Sequence, residues 1–420
     1  MQLAADLGAK DLSDIGMAAQ YAESGTWRVA ALIALGRAEE ARQVAADAGA
    51  IADQVLSQRP GHRLALHAQE VMQSALTELA IAELRPVDAL TLGRRGEAIA
   101  QTLVALDPKN TVSFNNLAAV RMDLGDASWD AGQPRASLEY YQKAIADMRH
   151  AENAGAEFVL NQLFPLSVIA NRQADLGDTA AAETALSSST KFVAGLHRSE
   201  PASSVVPQFG ECNLRIGLEA GALWRGDLPG ARRIGADVVA LVRDVKPSGG
   251  FQEFYKYACI FYPDRLKGEA EYLLGDFGAA EQSLNEALEA RKHWPMSTDD
   301  TRREQVEVST MLALALTGER RTDEARRIIE PIVKYHRELA ARNHGDQQQH
   351  VELARALYAQ ALVEPEHRTA LLQEASSLFD SVPAQMRALR SVRVWRDRVH
   401  EAMREPAARL VPAVTLRGVG

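Results

Sequence analysis

Ser188 and Lys191 stand three residues apart, the spacing at which a lysine one helical turn on could draw the proton from a serine nucleophile, as in the SxxK motif of penicillin-binding enzymes. The SDN and KTG elements that complete such a site are absent, and the pair lies in a run of small polar residues, so the spacing reads as coincidence. The ten histidines are scattered. Their closest pairs, His62 with His67 and His344 with His350, fall at spacings that do not share a helix face, which excludes an HExxH-type metal site. Cys212 and Cys259 are the only cysteines, too few for a disulfide framework or a four-ligand zinc site, and two buried thiols are expected. GxSxG, GxxxxGK[ST] and GxGxxG do not occur. The chain is therefore read as non-enzymatic, with no metal or cofactor assigned, and its many carboxylates as a solvating surface.

One stretch gathers side chains suited to recognition instead of catalysis. FQEFYKYACIFYP, beginning at Phe251, places six of the chain's 24 aromatics within twelve residues. On a helix, Phe251, Phe254, Tyr255, Ala258 and Tyr262 share a face, with Tyr257 and Phe261 displaced from it. Such a stripe is either a bulky seam between structural units or the aromatic lining of a partner surface. The expected outcome is split: Tyr255 buried, and Tyr257 or Tyr262 accessible.

The elements that must position these residues are helices. Ala and Leu dominate the 420 residues, aromatics make up 6%, and β-branched runs are scarce. A net charge of -9 argues against nucleic acid as the main partner, because phosphate neutralisation needs a basic field. The opening MQLAADLGAKDLSD lacks the basic and apolar regions of a signal peptide, and no window approaches a membrane span, so a cytoplasmic protein is expected.

A repeat orders the helices. A turn glycine followed five residues later by a small residue occurs at Gly36 and Ala41, Gly132 and Ser137, Gly177 and Ala182, Gly226 and Ala231, and Gly275 and Ala280. From Gly132 the intervals are 45, 49 and 49 residues. The gap of 96 between Gly36 and Gly132 is two periods and predicts a hidden turn near residue 84, at Leu84 to Ala89 with Pro86 as breaker. Gly93 with Ala98 is a rival that matches locally but breaks the period. A seventh turn is predicted in GERRTDEA, from Gly318 to Ala325. Each unit has two amphipathic helices that cannot bury their apolar faces alone, and stacking on the next unit solves that.

The segment LGDASWDAGQPRASLEYYQKAI resembles the tetratricopeptide repeat through Leu124, Gly125, Ser128, Gly132, Ser137, Tyr141 and Ala144. A second match has Gly268, Gly275, Ala280, Leu284 and Ala287 in the corresponding places. The period exceeds the family's usual length of about 34, as in lengthened repeats. The resemblance implies an all-α protein, a right-handed α-α superhelix of about seven helical hairpins with C-terminal capping helices. Residues 1–350 are assigned to the array, 351–405 to a C-terminal helical repeat or capping segment, and 406–420 to a flexible tail. In the last helix, Leu389, Val392, Val399 and Met403 supply an apolar face while Arg387, Arg390, Arg393, Arg396 and Arg398 wind around it, as suits a solvated cap.

Carried over residue by residue, the family's concave groove positions fall on Ala119, Met122, Asp126, Trp129 and Asp130 in the first match and on Tyr262, Arg265, Glu269, Tyr272 and Leu273 in the second. Tyr257 joins them from the aromatic stretch. A clamp for a terminal carboxylate wants Lys and Asn where Met122 and Asp126 stand, so that ligand is not expected. The implied function is a non-catalytic scaffold that binds a peptide segment or protein domain in the groove, with no nucleic acid and no membrane partner. The alternative is the sensor or regulatory region of a larger bacterial signalling protein, a kinase or winged-helix transcriptional regulator, whose effector domain lies outside this chain.

Overall fold

The computed structural model describes residues 14–151, 156–200, 204–247, 249–293 and 298–404. All of their regular structure is helical, with no strand among the described residues. Seven hairpins run in order: α1 (Ile15–Ala34) with α2 (Ala38–Gln58), α3 (Arg63–Ala82) with α4 (Pro86–Leu106), α5 (Thr111–Asp130) with α6 (Pro134–Met148), α7 (Ala156–Leu176) with α8 (Thr179–Ser199), α9 (Val206–Arg225) with α10 (Leu228–Arg243), α11 (Gly250–Leu274) with α12 (Phe277–Arg291), and α13 (Asp299–Gly318) with α14 (Thr322–Arg342). Four further helices follow: α15 (Gln347–Val363), α16 (Arg368–Ser381), the single turn α17 (Ala384–Arg387) and α18 (Arg390–Arg404). The residues after 404, which include the expected tail, lie outside the described set.

The tight turns have one local cause. Gly36, Gly132, Gly177, Gly226 and Gly275 all take left-handed φ between 70° and 88°. In six of the seven turns the residue in that conformation donates its N–H three residues back and the next residue donates five residues back, as in Arg37 to Leu32, Asp178 to Gln173 and Asp276 to Glu271. This pattern satisfies carbonyls that the ending helix leaves free. The period places the second turn correctly: Leu84 is the left-handed residue there, with φ 56°, and Pro86 opens α4. Gly93 lies inside α4 for another reason, since a Cβ there would sit 2.8 Å from Leu124 Cδ2 of α5. In the seventh turn Arg320, not Gly318, is left-handed, with φ 66°.

The chain divides into two compact units. Unit 1 is Met1–Ala131 with Glu139–Asn153, and unit 2 is Gly132–Leu138 with Ala154–Gly420. In each, a hairpin's second helix packs on the first helix of the next hairpin, and successive first helices touch one another, as α1, α3 and α5 do in unit 1 and α9, α11, α13 and α15 do in unit 2. The core of unit 1 is rich in alanine, including Ala18, Ala22, Ala41, Ala45, Ala52 and Ala65 around Val29, Val55 and Met72. Small side chains let helix axes approach closely. Leu124, Ser128, Ser137, Tyr141 and Ala144 of the repeat motif are all fully buried.

Two expectations change. Cys212 on α9 and Cys259 on α11 are not thiols but a disulfide, with Cα atoms 6.0 Å apart, joining the first helices of adjacent hairpins. The aromatic stretch also turns differently. Phe261 is buried with Ala258 and Cys259, Tyr255 is only partly covered, and Phe254 is 47% exposed. The buried stripe follows the disulfide side of α11 because that is where α9 packs.

Candidate interaction site

The first helices of each unit share one face, and most of the sequence-derived groove residues lie on them. In unit 1 that face is acidic. His67 Nδ1 lies 3.1 Å from both carboxylate oxygens of Glu23, and buried Glu70 accepts from Asn116 Nδ2 at 3.0 Å. Burial raises the Glu70 pKa. Asp123 is pushed well above the usual carboxylate range, first by burial and then by the like charges of Glu78 and Asp126. Its Oδ2 is covered and has no hydrogen-bond partner. Among the residues expected here, Ala119, Met122 and Trp129 are half-buried, Asp130 is buried, and Asp126 accepts the Tyr141 hydroxyl at 2.8 Å.

In unit 2 the same face carries a ladder of ion pairs. Arg265 of α11 meets Glu307 of α13 at 3.2 Å, and the Tyr262 hydroxyl donates to Glu304 at 3.1 Å. Arg303 bridges Asp300 at 3.1 Å and Asp346 at 3.2 Å, and Arg355 of α15 lies 3.2 Å from Glu352 and 3.7 Å from Glu269. Burial raises Glu304 and Glu307. For Glu307 the neighbouring Glu352 adds to the rise, against the pull of Arg265, Arg303 and Arg355. With an arginine facing nearly every carboxylate, the charges largely cancel where they are least hydrated.

Helix α18 lies on this ladder. Its Trp395 is 2% exposed and donates Nε1–H to Glu269 at 3.1 Å. The indole stacks 5.9 Å from the Tyr272 ring, 20° from parallel, with Tyr358 at 6.2 Å and the Arg355 guanidinium 4.9 Å from its centre. At the start of the helix the Ser391 N–H and hydroxyl both reach Asp175 of α7, each at 2.7 Å, across 216 residues of sequence. Arg390 donates to the Trp224 carbonyl at the end of α9, at 2.9 Å. Burial pushes Asp175 up to about 6, more than these hydrogen bonds lower it. The last helix keeps the polar outer face expected of a cap, with Arg393, Asp397, Glu401 and Arg404 exposed, while Arg390 and Arg398 are engaged within the unit, Arg398 over the rings of Tyr272 and Trp395.

This placement sorts the groove residues of unit 2. Glu269, Tyr272 and Leu273 are buried, Glu269 and Tyr272 beneath Trp395, while Tyr262 and Arg265 are partly open beside them. Tyr257 points elsewhere. It stacks on His293 with ring centres 3.7 Å apart, in a shallow cleft shared with Val239 and Arg243 of α10 and Glu286 of α12. Trp395 and Asp175 are the residues that sequence reasoning missed. The signal for Trp395 was present, because Val392, Trp395, Val399 and Ala402 recur at spacings of three, four and three. The 47 residues between Cys212 and Cys259 are close to one repeat, so stacking brings them to the same level of neighbouring hairpins.

Among the described residues no cluster of three or more His, Cys, Asp or Glu side chains is arranged to hold a metal ion, and no helix is long and apolar enough to cross a membrane. No family model matches the chain, and no curated protein matches it. Among solved structures it is similar to a circular tandem repeat protein with novel repeat topology and enhanced subunit contact surfaces, at 17% identity over 94% of this chain and 98% of that one, with a TM-score of 0.33. It is also similar to yeast Tom70, at 9% identity over 91% and 96% of the two chains, with a TM-score of 0.21. The tetratricopeptide resemblance rests on this chain's own residues and hairpin geometry.

Proposed function

We propose that the chain is a protein-interaction scaffold that takes a peptide segment or a helix of another protein on the faces formed by its first helices. The observation that carries this reading is that one such face already holds a helix, α18, through a buried tryptophan and helix-end hydrogen bonds. That is the helix-in-groove mode of recognition, and Trp and Arg are the side chains that dominate such interfaces. A stack of rigid hairpins presents the face already formed, which keeps the ordering cost of association low. Met122, Asp126, Trp129 and Asp130 belong to the proposed surface of unit 1, and Tyr262, Arg265, Glu269 and Tyr272 to that of unit 2. Tyr257 belongs to the separate cleft on the second-helix side. The Cys212–Cys259 bond favours an oxidising compartment over the expected cytoplasm, since structural disulfides persist where thiols are not kept reduced.

Selection of displayed helical peptides against the full chain, followed by cross-linking and mass spectrometry of the winners, tests the reading. Cross-links on α3 and α5, or on α11 and α13, support it. Selected peptides that map only to the second helices, or the absence of any saturable binder, overturn it.

A further inference from the structure

We infer that the cleft beside Tyr257, between α10 and α12 on the second-helix side of unit 2, is a binding site for a small zwitterion with an aromatic body, an aromatic α-amino acid. This goes beyond the scaffold reading and uses none of the first-helix faces.

The repeat shows what fills the corresponding place in unit 1. Positions are counted from the left-handed residue of each turn, here Gly36, Leu84, Gly132, Gly226 and Gly275. Gly49, Glu97 and Val239 stand thirteen after it, Asp147 and Ala290 fifteen after it, and Arg121 and Asp264 eleven before it. In unit 1 the intervening first helix reaches across toward its neighbouring second helices. Gln69 of α3 donates to the Gly49 carbonyl at 2.8 Å and to Asp53 at 2.7 Å, both on α2. Arg121 of α5 bridges Glu97 of α4 at 2.8 Å and Asp147 of α6 at 2.5 Å. In unit 2 that bridge is gone. Val239 and Ala290 replace its two carboxylates, and Asp264, in the place of the arginine, is buried and held by Lys267 of its own helix at 2.6 Å. What remains between α10 and α12 is a cleft of about 470 Å³, within the size range of small-ligand sites.

The lining gives the ligand its chemistry. Val239, Ile260 and Ala290 supply apolar surface. Tyr257 and His293 form a ready-made wall, their rings 3.7 Å apart and 2° from parallel. The same clasp closes the third hairpin, where Phe114 stacks on His150 at 4.4 Å. Hairpin closure therefore sets this wall, and a ligand need not order it. Arg243 is exposed and makes no ion pair or hydrogen bond among the described residues. Glu289 pairs with Lys292, while Glu286 accepts only from Gln282, at 2.9 Å. One cation on α10 and one carboxylate on α12 are thus left to be answered. A purely cationic ligand would meet Arg243, and a purely anionic one would meet Glu286. A molecule with both charges satisfies the two, its carboxylate on Arg243 and its ammonium on Glu286, with its ring against Tyr257 and the apolar surface. Bound in this way it ties α10 to α12 from outside, as Arg121 ties α4 to α6 from within.

Ligand-observed NMR titration of the full chain with L-phenylalanine tests this. Saturable binding is expected, with phenethylamine, which lacks the carboxylate, and 3-phenylpropionate, which lacks the ammonium, each bound at least about 10-fold more weakly. Arg243→Gln is expected to weaken L-phenylalanine about 10-fold and to leave phenethylamine no weaker. Glu286→Gln is expected to do the same with 3-phenylpropionate as the ligand that is not weakened. Both side chains reach solvent at the edge of the cleft, and circular dichroism checks that the variants stay helical. Hydrogen exchange is expected to show α10 and α12 gaining protection with L-phenylalanine while α4 and α6 do not change. L-phenylalanine that fails to saturate up to its solubility limit, binds no better than either truncated probe, or is insensitive to both substitutions overturns the inference. L-alanine binding as well as L-phenylalanine overturns its aromatic part. Each of these failures leaves the first-helix faces, and the scaffold reading built on them, untouched.

Discussion

The first-helix faces of the two units are built by the same hairpin geometry and differ in how their carboxylates are answered. In unit 1, Glu70 relies on Asn116, and Asp123 holds a covered oxygen with no partner beside Glu78 and Asp126. In unit 2, Arg265, Arg303 and Arg355 stand among Glu269, Glu307, Glu352 and Asp346, and a helix carrying two engaged arginines and a tryptophan lies on top. Backbone architecture sets the shape of a face and its side chains set what rests on it: α18 lies on the face whose carboxylates are already paired, held by an indole and by hydrogen bonds at its first turn. The lesson is that groove positions transferred from a repeat pattern locate a surface without saying whether the chain already occupies it.

The largest expected effect separates the faces directly. Trp395→Ala removes a side chain packed against two tyrosines and should cost about 3–5 kcal/mol by lost burial and cavity formation. Hydrogen exchange should show the loss in unit 2, with the protection of α1 to α4 unchanged. Equal loss in both units would erase the contrast drawn here. Reduction of Cys212–Cys259, or Cys212→Ser with Cys259→Ser, frees a 47-residue loop and should cost about 2–4 kcal/mol. Denaturant titration with and without a thiol reductant measures it, again with unit 1 unaffected.

A smaller effect concerns pH. Glu219 is 0% exposed, both its oxygens lack a hydrogen-bond partner, and burial raises its pKa well above the usual range, with Asp264 adding to the rise and Lys267 opposing it. A folded-state pKa raised above the unfolded value gives stability that is present below the unfolded pKa and is lost as pH rises through the folded one. Glu219→Gln should therefore stabilise unit 2 by about 1 kcal/mol at pH 8 and flatten the fall in stability above the carboxylate range. A melting series in pH that is identical for variant and wild type would refute the assignment. The smallest effect is Arg320→Gly. Arg320 is exposed and left-handed, and glycine there should add about 0.5–1 kcal/mol by relieving backbone strain, read as a modest rise in melting temperature.

How much was legible follows from how local each determinant is. The left-handed turns at Gly36, Gly132, Gly177, Gly226 and Gly275 were visible because the glycine and the small residue five positions on belong to one turn. The hidden turn at Leu84 was visible only through the period, since its residue type gives no sign of a left-handed φ. The aromatic stretch misled, because a periodicity assignment cannot tell which side of α11 the neighbouring hairpin will cover; Phe254 is exposed and Phe261 buried for that reason. The unit 2 face was located but read as open, with Trp395 left out of the apolar stripe that carries it.

By itself the sequence determined that this chain is a stack of helical hairpins and where each hairpin turns, because helix periodicity, capping and the left-handed glycine act over at most five or six residues. Only the tertiary structure decided that Cys212 finds Cys259, that Asp175 caps a helix 216 residues later, and that Trp395 covers Glu269 and Tyr272. Those pairings join residues with no local pattern in common. They exist because the stacking of whole hairpins brings their side chains within reach, and stacking is a property of the folded chain, not of any segment of it.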